Sequence, residues 1–516
     1  MMKSILYVRL RCPKIYPVGP IYLADHVHKH FPEVKQKIID LALVEERQEK
    51  KILLEEIEEF NPDTLAFSWR DIQPFSPDED DLALKNSFKF YYSSNVGEKI
   101  GASWQGLKMI LFYENRIRKN LSLINLANRT FPEKKILIGG PAFSVFAKNL
   151  IGRCPNGTVG IVGEGENVFL KLIGGKDILD ERVVLKKNGE VSWGAPLRNR
   201  AKKWNYVPLE NSTPVDFDYI TSIFAEFNEY TGGFVGVPTK RGCPFNCLFC
   251  LYPVIDGKQV RYRPPRVVAQ DVENLKRKFG VNKIWFCDSQ FFPAAKSLPV
   301  AEETLDELIR RELDIHWASY IRIDQVTRPI AKKMLASGIS DFELSITSGS
   351  QAVIDRLRLG FKLERFFENC QMLKEAGHSD QKIRLNLSLN APGETSETLL
   401  ETIDSVEKIS QIFGEENVRP FLFFLAVQPR TGLAEHAVRK GYLPQDFNPL
   451  ALNPFIIRNL IYNPPPLGKI IGQAMNHAMK NGTEIGGQVL RELKEQLKET
   501  AAGSGKNRIR NLDCEF

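Results

Sequence analysis

What this 516-residue chain lacks narrows its class before any motif is read. The longest unbroken apolar stretch of its second half, 421–427, falls far short of the roughly 20 residues a membrane-spanning helix needs. Its opening apolar run is interrupted by Arg9 and Arg11, with Lys3 before it, and shows no long apolar core or cleavage site. No secretory signal is expected, and the expected compartment is the cytoplasm. Neither sign of charge dominates: 70 Lys and Arg against 63 Asp and Glu leave +7, too little at this length to imply a nucleic-acid partner. No internal repeat is visible. Cysteine is scarce: of eight, Cys12, Cys154, Cys287, Cys370 and Cys514 stand alone, while Cys243, Cys247 and Cys250 crowd into eight positions. That is no disulfide framework, and crowded thiols in a reducing compartment point to metal binding or catalysis.

What is present is the composition of a globular protein, 43% apolar and 26% charged. The length suggests about three domains. The first 175 residues alternate short apolar strands with helical patterns: strands near 5–8, 37–41, 64–69, 135–138 and 159–162, helices near 18–30, 47–60 and 121–129. Such alternation predicts an α/β domain with a Rossmann-like, doubly wound parallel sheet. Between 70 and 119 the pattern breaks, which reads as an insertion without a clean period at the carboxyl end of the sheet. Residues 176–231 form a connector with a hairpin turning at Asn188-Gly189. Six strands follow within 232–440, near 235–240, 283–287, 316–323, 342–347, 382–389 and 420–427, with helices between most of them. Six such units predict a partial (β/α)6 barrel of TIM type, whose site lies at the strand carboxyl ends. Residues 441–516 read as a small, mostly helical region with a helix near 486–500 and a loose polar tail.

The segment that carries chemistry is TKRGCPFNCLFCLYP, residues 239–253. Cys243, Cys247 and Cys250 stand as C-x3-C-x2-C directly after the first strand of the second half. A loop of this length lets three thiolates converge on one cluster and leaves one iron of a 4Fe-4S cluster without a protein ligand. A structural zinc site needs a fourth ligand, and none stands at matching spacing; three buried free thiols at this spacing by chance would be rare. Gly242 and Pro244 suit a sharp turn, and Phe249 is placed to cover the cluster.

This segment resembles the radical S-adenosylmethionine (radical SAM) superfamily. Later stretches resemble its strand signatures in order: KIWFCDSQFF (283–292), WASYIRID (317–324), ELSITSGSQ (343–351), NAPGET (390–395) with Glu401-Thr402, and QPRTGL (428–433). Two positions depart from the usual pattern: Thr347 stands where relatives carry an acid, and Arg430 where Gly is usual. The resemblance implies that the open iron chelates S-adenosylmethionine, whose reductive cleavage yields a 5′-deoxyadenosyl radical, with the protein orienting substrate and excluding water. It implies an electron donor such as a ferredoxin or flavodoxin. By position it puts Phe249, Asp288, Ser345, Thr347, Ser348 and Asn390 toward the S-adenosylmethionine, although each alone is also an ordinary strand-end polar or aromatic residue.

The first domain resembles the cobalamin-binding domain that precedes the barrel in one branch of the superfamily. The matching pieces are 17–32, ILIGGPAFSVF (136–146) and VGIVGEGE (159–166). Gly139, Gly140, Gly163, Glu164 and Gly165 are implied to line cobalamin, whereas an isolated glycine pair is more often a tight turn. The Asp-x-His-x-x-Gly motif that would supply a lower cobalt ligand is absent, and His26, His28 and His30 read as helix-surface residues. The opening 8–32 with FSWRDIQPFSP (67–77) is also similar to a cyanobacterial radical SAM family named for photosystem II acclimation to high light, a name that supplies no reaction.

The expected activity is thus that of a radical SAM enzyme, cobalamin-dependent and of methyltransferase type, on an unidentified substrate. The alternatives are a radical cyclisation or oxidation of a tetrapyrrole or lipid, and a non-catalytic assembly protein with a retained cluster. Methylthiolation of tRNA would need a second cysteine triad, and the first domain offers only Cys12 and Cys154.

Overall fold

The computed structural model describes residues 2–70, 82–179, 181–194, 206–378, 381–448, 450, 461–481 and 485–503. Two open parallel sheets organise it.

The first sheet is built from β1 (Ser4–Arg9), β2 (Lys35–Asp40), β3 (Thr64–Ser68), β4 (Lys135–Gly139) and β5 (Val159–Ile161). β6 (Val183–Lys187) and β7 (Glu190–Trp193) complete it. Their order is β2-β1-β3-β4-β5-β6-β7, parallel as far as β5. The strands are short apolar runs because helices cover both faces; β1 buries five of its six residues. Helix Val18–His30 lays Ile21, Ala24 and Val27 inward, as its spacing predicts. The hairpin of the expected connector is not an appendage: it pairs antiparallel with β5 and extends the sheet. Its turn residues Asn188 and Gly189 both take positive φ, the conformation that matches the twist of a two-residue hairpin.

The second sheet starts with β8 (Phe234–Val237). A two-stranded ribbon of β9 (Lys240–Arg241) and β10 (Arg261–Tyr262) brackets the cysteine segment. Then come β11 (Lys283–Phe286), β12 (His316–Ile321), β13 (Ile339–Thr347), β14 (Lys382–Leu389) and β15 (Val418–Phe424). The order β15-β14-β13-β12-β11-β8 is parallel throughout, the expected six-stranded partial barrel.

The insertion departs from expectation. Its start, 71–81, lies outside the described residues, but the rest is a pair of helices, Leu82–Tyr92 and the 35-residue Val96–Thr130. The period looked broken because the long helix has two uses. Ile117, Leu121, Ile124 and Ala127 pack on the first sheet, whereas Val96, Ile100, Trp104 and Leu107 face outward. Asn95 caps it, its Oδ1 accepting from the backbone N–H of Gly97 (2.8 Å) and Glu98 (3.2 Å). Phe88 packs on Phe424 of β15 with ring centroids 5.4 Å apart. Among the described residues the carboxyl-terminal region likewise holds one helix beyond the one expected near 486–500: Leu467–Asn481 packs on Leu82–Tyr92, and Ile485–Gly503 on β15. Of the expected loose tail, 504–516 lie outside the described residues.

Candidate cluster and cofactor site

The cysteine loop leaves the carboxyl end of β8 and is held at its root by Asp288. That carboxylate, just past β11 and buried, accepts from the backbone N–H of Thr239 (3.0 Å) and Lys240 (3.2 Å) and from the Thr239 hydroxyl. Burial pushes the Asp288 carboxyl up from its ordinary value. The Lys240 ammonium donates to Ser289 Oγ at 3.1 Å. Gly242 then turns with φ +88°, so close to β10 that a Cβ would lie 2.0 Å from the Gln259 carbonyl. Three backbone bonds pin the loop: Cys243 N–H to Gly257 O (3.0 Å), Leu248 N–H to Leu357 O (2.9 Å) and Leu433 N–H to Leu248 O (2.8 Å). Gly432, inside QPRTGL, is where that last approach needs a glycine: a Cβ there would meet the Leu248 side chain at 2.8 Å.

The three thiols have no disulfide partner. Burial, with the charge of Cys243 next, pushes the Cys247 thiol up to about 11. Burial is also the main cause of the Cys250 rise to about 12, to which Cys247 and Cys243 add. Mutual influence of that kind places the three sulfurs in one neighbourhood. They are not closed around a single ion; among the described residues no set of three His, Cys, Asp or Glu side chains is gathered that tightly. A multi-iron cluster, whose ligands attach at separate corners, suits this donor set, and its positive charge would remove the burial penalty on the thiolates. Half-buried Phe249 packs beside Cys247 in a small apolar cluster with Leu248, Leu433 and Leu357.

The other residues assigned to S-adenosylmethionine sit at strand ends as expected, with different commitments. Ser345 is partly exposed on β13. Thr347, with φ +67°, ends β13 where the register with β14 shifts. Ser348 turns away from the strand ends: its hydroxyl lies 3.1 Å from that of Thr402, on helix Ser396–Phe413. Asn390, with φ +55°, donates its side-chain amide to Asn463 Oδ1 (2.7 Å) and the Pro464 carbonyl (2.8 Å), holding the carboxyl-terminal region against the barrel. Beside it, burial raises the Glu394 carboxyl to about 7, although backbone N–H groups favour its charge.

In the first sheet the strand order reverses between β1 and β3, where a ligand crevice opens at the carboxyl ends of an α/β sheet. The glycine loops next to that edge are closely packed. Gly140 has φ +98°, and a Cβ there would lie 2.5 Å from the Trp69 carbonyl oxygen. Gly139 is freer, with nothing nearer than 3.7 Å. At Gly163 (φ +84°) a Cβ would meet Arg182 and the Ile255 carbonyl within 2.9 Å, while Gly165 makes only ordinary contacts. Glu164 and Glu166 cross to the barrel. Arg261 holds both oxygens of Glu164, and Arg241, the residue before Gly242-Cys243, bonds Glu166 at 2.5 Å. Arg430 donates to the Ser144 carbonyl at 2.9 Å, and Ser144 Oγ accepts from Gly163 N–H at 2.9 Å. Tyr16 and Val18 reach over the barrel at Gly236, beside Cys287. These cross-links were not anticipated from sequence. Partners some 75 to 286 positions apart leave no local signal.

Comparison with known proteins agrees with this geometry. Residues 237–406 match the family described as the Radical SAM superfamily. They are a radical SAM domain. The chain is 24% identical over 317 residues to an uncharacterized methyltransferase of Pyrococcus horikoshii, covering 60% of this chain and 64% of that protein. It is 27% identical over 263 residues to the bacteriochlorophyllide d C-8(2)-methyltransferase of Chlorobaculum tepidum, covering 48% and 52%. The chain thus spans less than two thirds of these relatives. Among solved structures it is similar to TsrM of Kitasatospora setae, a radical S-adenosylmethionine methyltransferase with cobalamin and a 4Fe-4S cluster bound. The TM-score is 0.62 at 14% identity, over 97% of this chain and 100% of that one. At that identity the likeness is one of fold, and it extends beyond the radical SAM domain through the first sheet.

Proposed function

We propose that this chain is a cobalamin-dependent radical SAM enzyme of methyltransferase type, acting on a small molecule with electrons from a ferredoxin or flavodoxin. One observation carries the reading: the Cys243–Cys247–Cys250 loop is pinned at the carboxyl end of β8 by Asp288 and three backbone bonds, and its three thiols stand together without a disulfide. Cys243, Cys247 and Cys250 would hold a 4Fe-4S cluster, with Phe249 over it. Ser345 and Thr347 would face S-adenosylmethionine, while Asp288, Ser348 and Asn390 shape the backbone that surrounds it. Cobalamin would lie over the carboxyl edge of β1 and β3, facing the barrel mouth, with Gly139 and Gly165 giving it room. When bound, the cluster and S-adenosylmethionine supply a 5′-deoxyadenosyl radical and cobalamin supplies a methyl carrier. The links Arg241–Glu166 and Arg261–Glu164, which hold the first sheet to the barrel, would help to keep water from that space.

The likeness to methyltransferases supports the methyltransferase form, and the sheet order offers a crevice for cobalamin. The test is anaerobic reconstitution with iron and sulfide. About four irons per chain are expected, together with 5′-deoxyadenosine release on adding dithionite and S-adenosylmethionine. Joint replacement of the three cysteines by Ala should abolish both, whereas Cys370→Ala should leave both. Full iron content in the triple variant would overturn the cluster assignment. No change in the visible spectrum or in retained cobalt with hydroxocobalamin would overturn the cobalamin part alone.

A further inference from the structure

The first turns of helix Val96–Thr130 present an apolar face that no described element covers. Val96 is 69% exposed, Ile100 66%, Trp104 58% and Leu107 43%. At 100° per residue these four positions fall within an arc of about 80°. The exposure does not come from a detached helix. Ala102, on the opposite side, is buried, and the neighbouring helix Leu82–Tyr92 is anchored by Phe88 on β15 and by Tyr92 against Gly472. Phe90, 42% exposed, adds a ring on that neighbouring helix.

Charge selects the occupant. Lys99 borders the stripe on one side and Lys108 on the other, with the Lys108 ammonium 5.5 Å from the Trp104 ring centroid. The single carboxylate of residues 96–108, Glu98, lies away from the stripe, accepting at 2.5 Å from the Ser93 hydroxyl. A protein groove would satisfy the apolar groups alone. Large apolar side chains with a tryptophan, edged by lysines and free of acid, match the boundary of an anionic bilayer. No helix among the described residues is long and apolar enough to cross a membrane. We propose that this face rests on an anionic lipid surface, the helix lying in the plane of the interface.

The test is flotation of the full chain, cluster-loaded, with vesicles of phosphatidylcholine alone or mixed with phosphatidylglycerol. Binding is expected to the mixed vesicles only and to weaken as salt is raised. Ile100→Asp with Trp104→Ser should lower vesicle partitioning about tenfold or more, and Lys99→Glu with Lys108→Glu should do the same without removing an apolar group. Unchanged iron content and melting temperature in these surface variants would show that the fold is intact. Failure of the wild type to float with anionic vesicles, or equal flotation of the variants, would overturn the proposal. So would a dimer in sedimentation velocity that the same substitutions dissociate without any vesicle binding; the face would then belong to a second copy.

Discussion

The carboxyl edges of the two parallel sheets carry motifs of opposite explanatory weight. At the first sheet most conspicuous features have a packing account: Gly140 lets Trp69 approach, Gly163 admits Arg182 and Ile255, and Glu164 and Glu166 pair with Arg261 and Arg241, while Gly139 and Gly165 have none. At the barrel, Gly242, Gly432 and Asp288 are explained by the loop they hold, and packing, which buries Cys243 and sets Cys247 beside an apolar cluster, does not explain why three thiols stand together without a disulfide. A motif residue argues for a ligand to the extent that the fold leaves it without another task. On that measure the cluster reading is carried by residues, and the cobalamin reading by sheet order and overall fold.

The comparison breaks most visibly at Gly140. Its φ +98° and ψ 169° lie in a region essentially reserved for glycine, and a Cβ would strike the Trp69 backbone. Gly140→Ala should cost about 4 kcal/mol in denaturant unfolding, and Gly140→Trp should not fold. Gly139→Ala should cost less than about 1 kcal/mol and is the better probe of cobalamin retention. Equal stability of both alanine variants would remove the packing account.

Next in size is the link between the sheets. Arg261→Ala leaves Glu164 buried beside a more distant Arg241, 3.7 Å away. Stability should fall by about 3 kcal/mol, and iron content should fall with it, because the same ribbon braces Gly242. Arg261→Met with Glu164→Leu should recover most of the stability. A double variant no better than the single would show that specific pairing, not charge burial, is at work.

The insertion divides in the same manner. Phe88→Ala should cost about 3 kcal/mol, since that ring is buried against β15. Phe90→Ala, at an exposed ring, should change the melting temperature little. Similar losses at both positions would mean that Phe90 is covered in solution.

The last effect is one of pH. Glu394 titrates near 7 when folded, against an ordinary 4.5, because its carboxyl is buried. The folded state therefore holds its proton more tightly, and this contribution to stability is full below about pH 4.5 and lost as pH rises through 7. Glu394→Gln should match the wild type in melting temperature near pH 5 and exceed it near pH 8. A difference independent of pH would sink this assignment.

The sequence by itself determined what is local or periodic. The alternation of apolar runs specified two parallel sheets, six barrel strands and the helix Val18–His30, because a strand buried on both faces must be apolar along its length. The C-x3-C-x2-C spacing singled out the loop as a candidate cluster site, because three thiols on one short segment can converge on a single cluster. Only the tertiary structure decided the rest. It recruited the 183–193 hairpin to the first sheet, gave the helix Val96–Thr130 a buried half and an exposed half, and turned the GEGE loop into ion-pair partners of Arg241 and Arg261. Those outcomes depend on which surfaces meet across long sequence separations. An acid beside a glycine reads the same whether it faces a ligand or an arginine, until folding brings one of them to it.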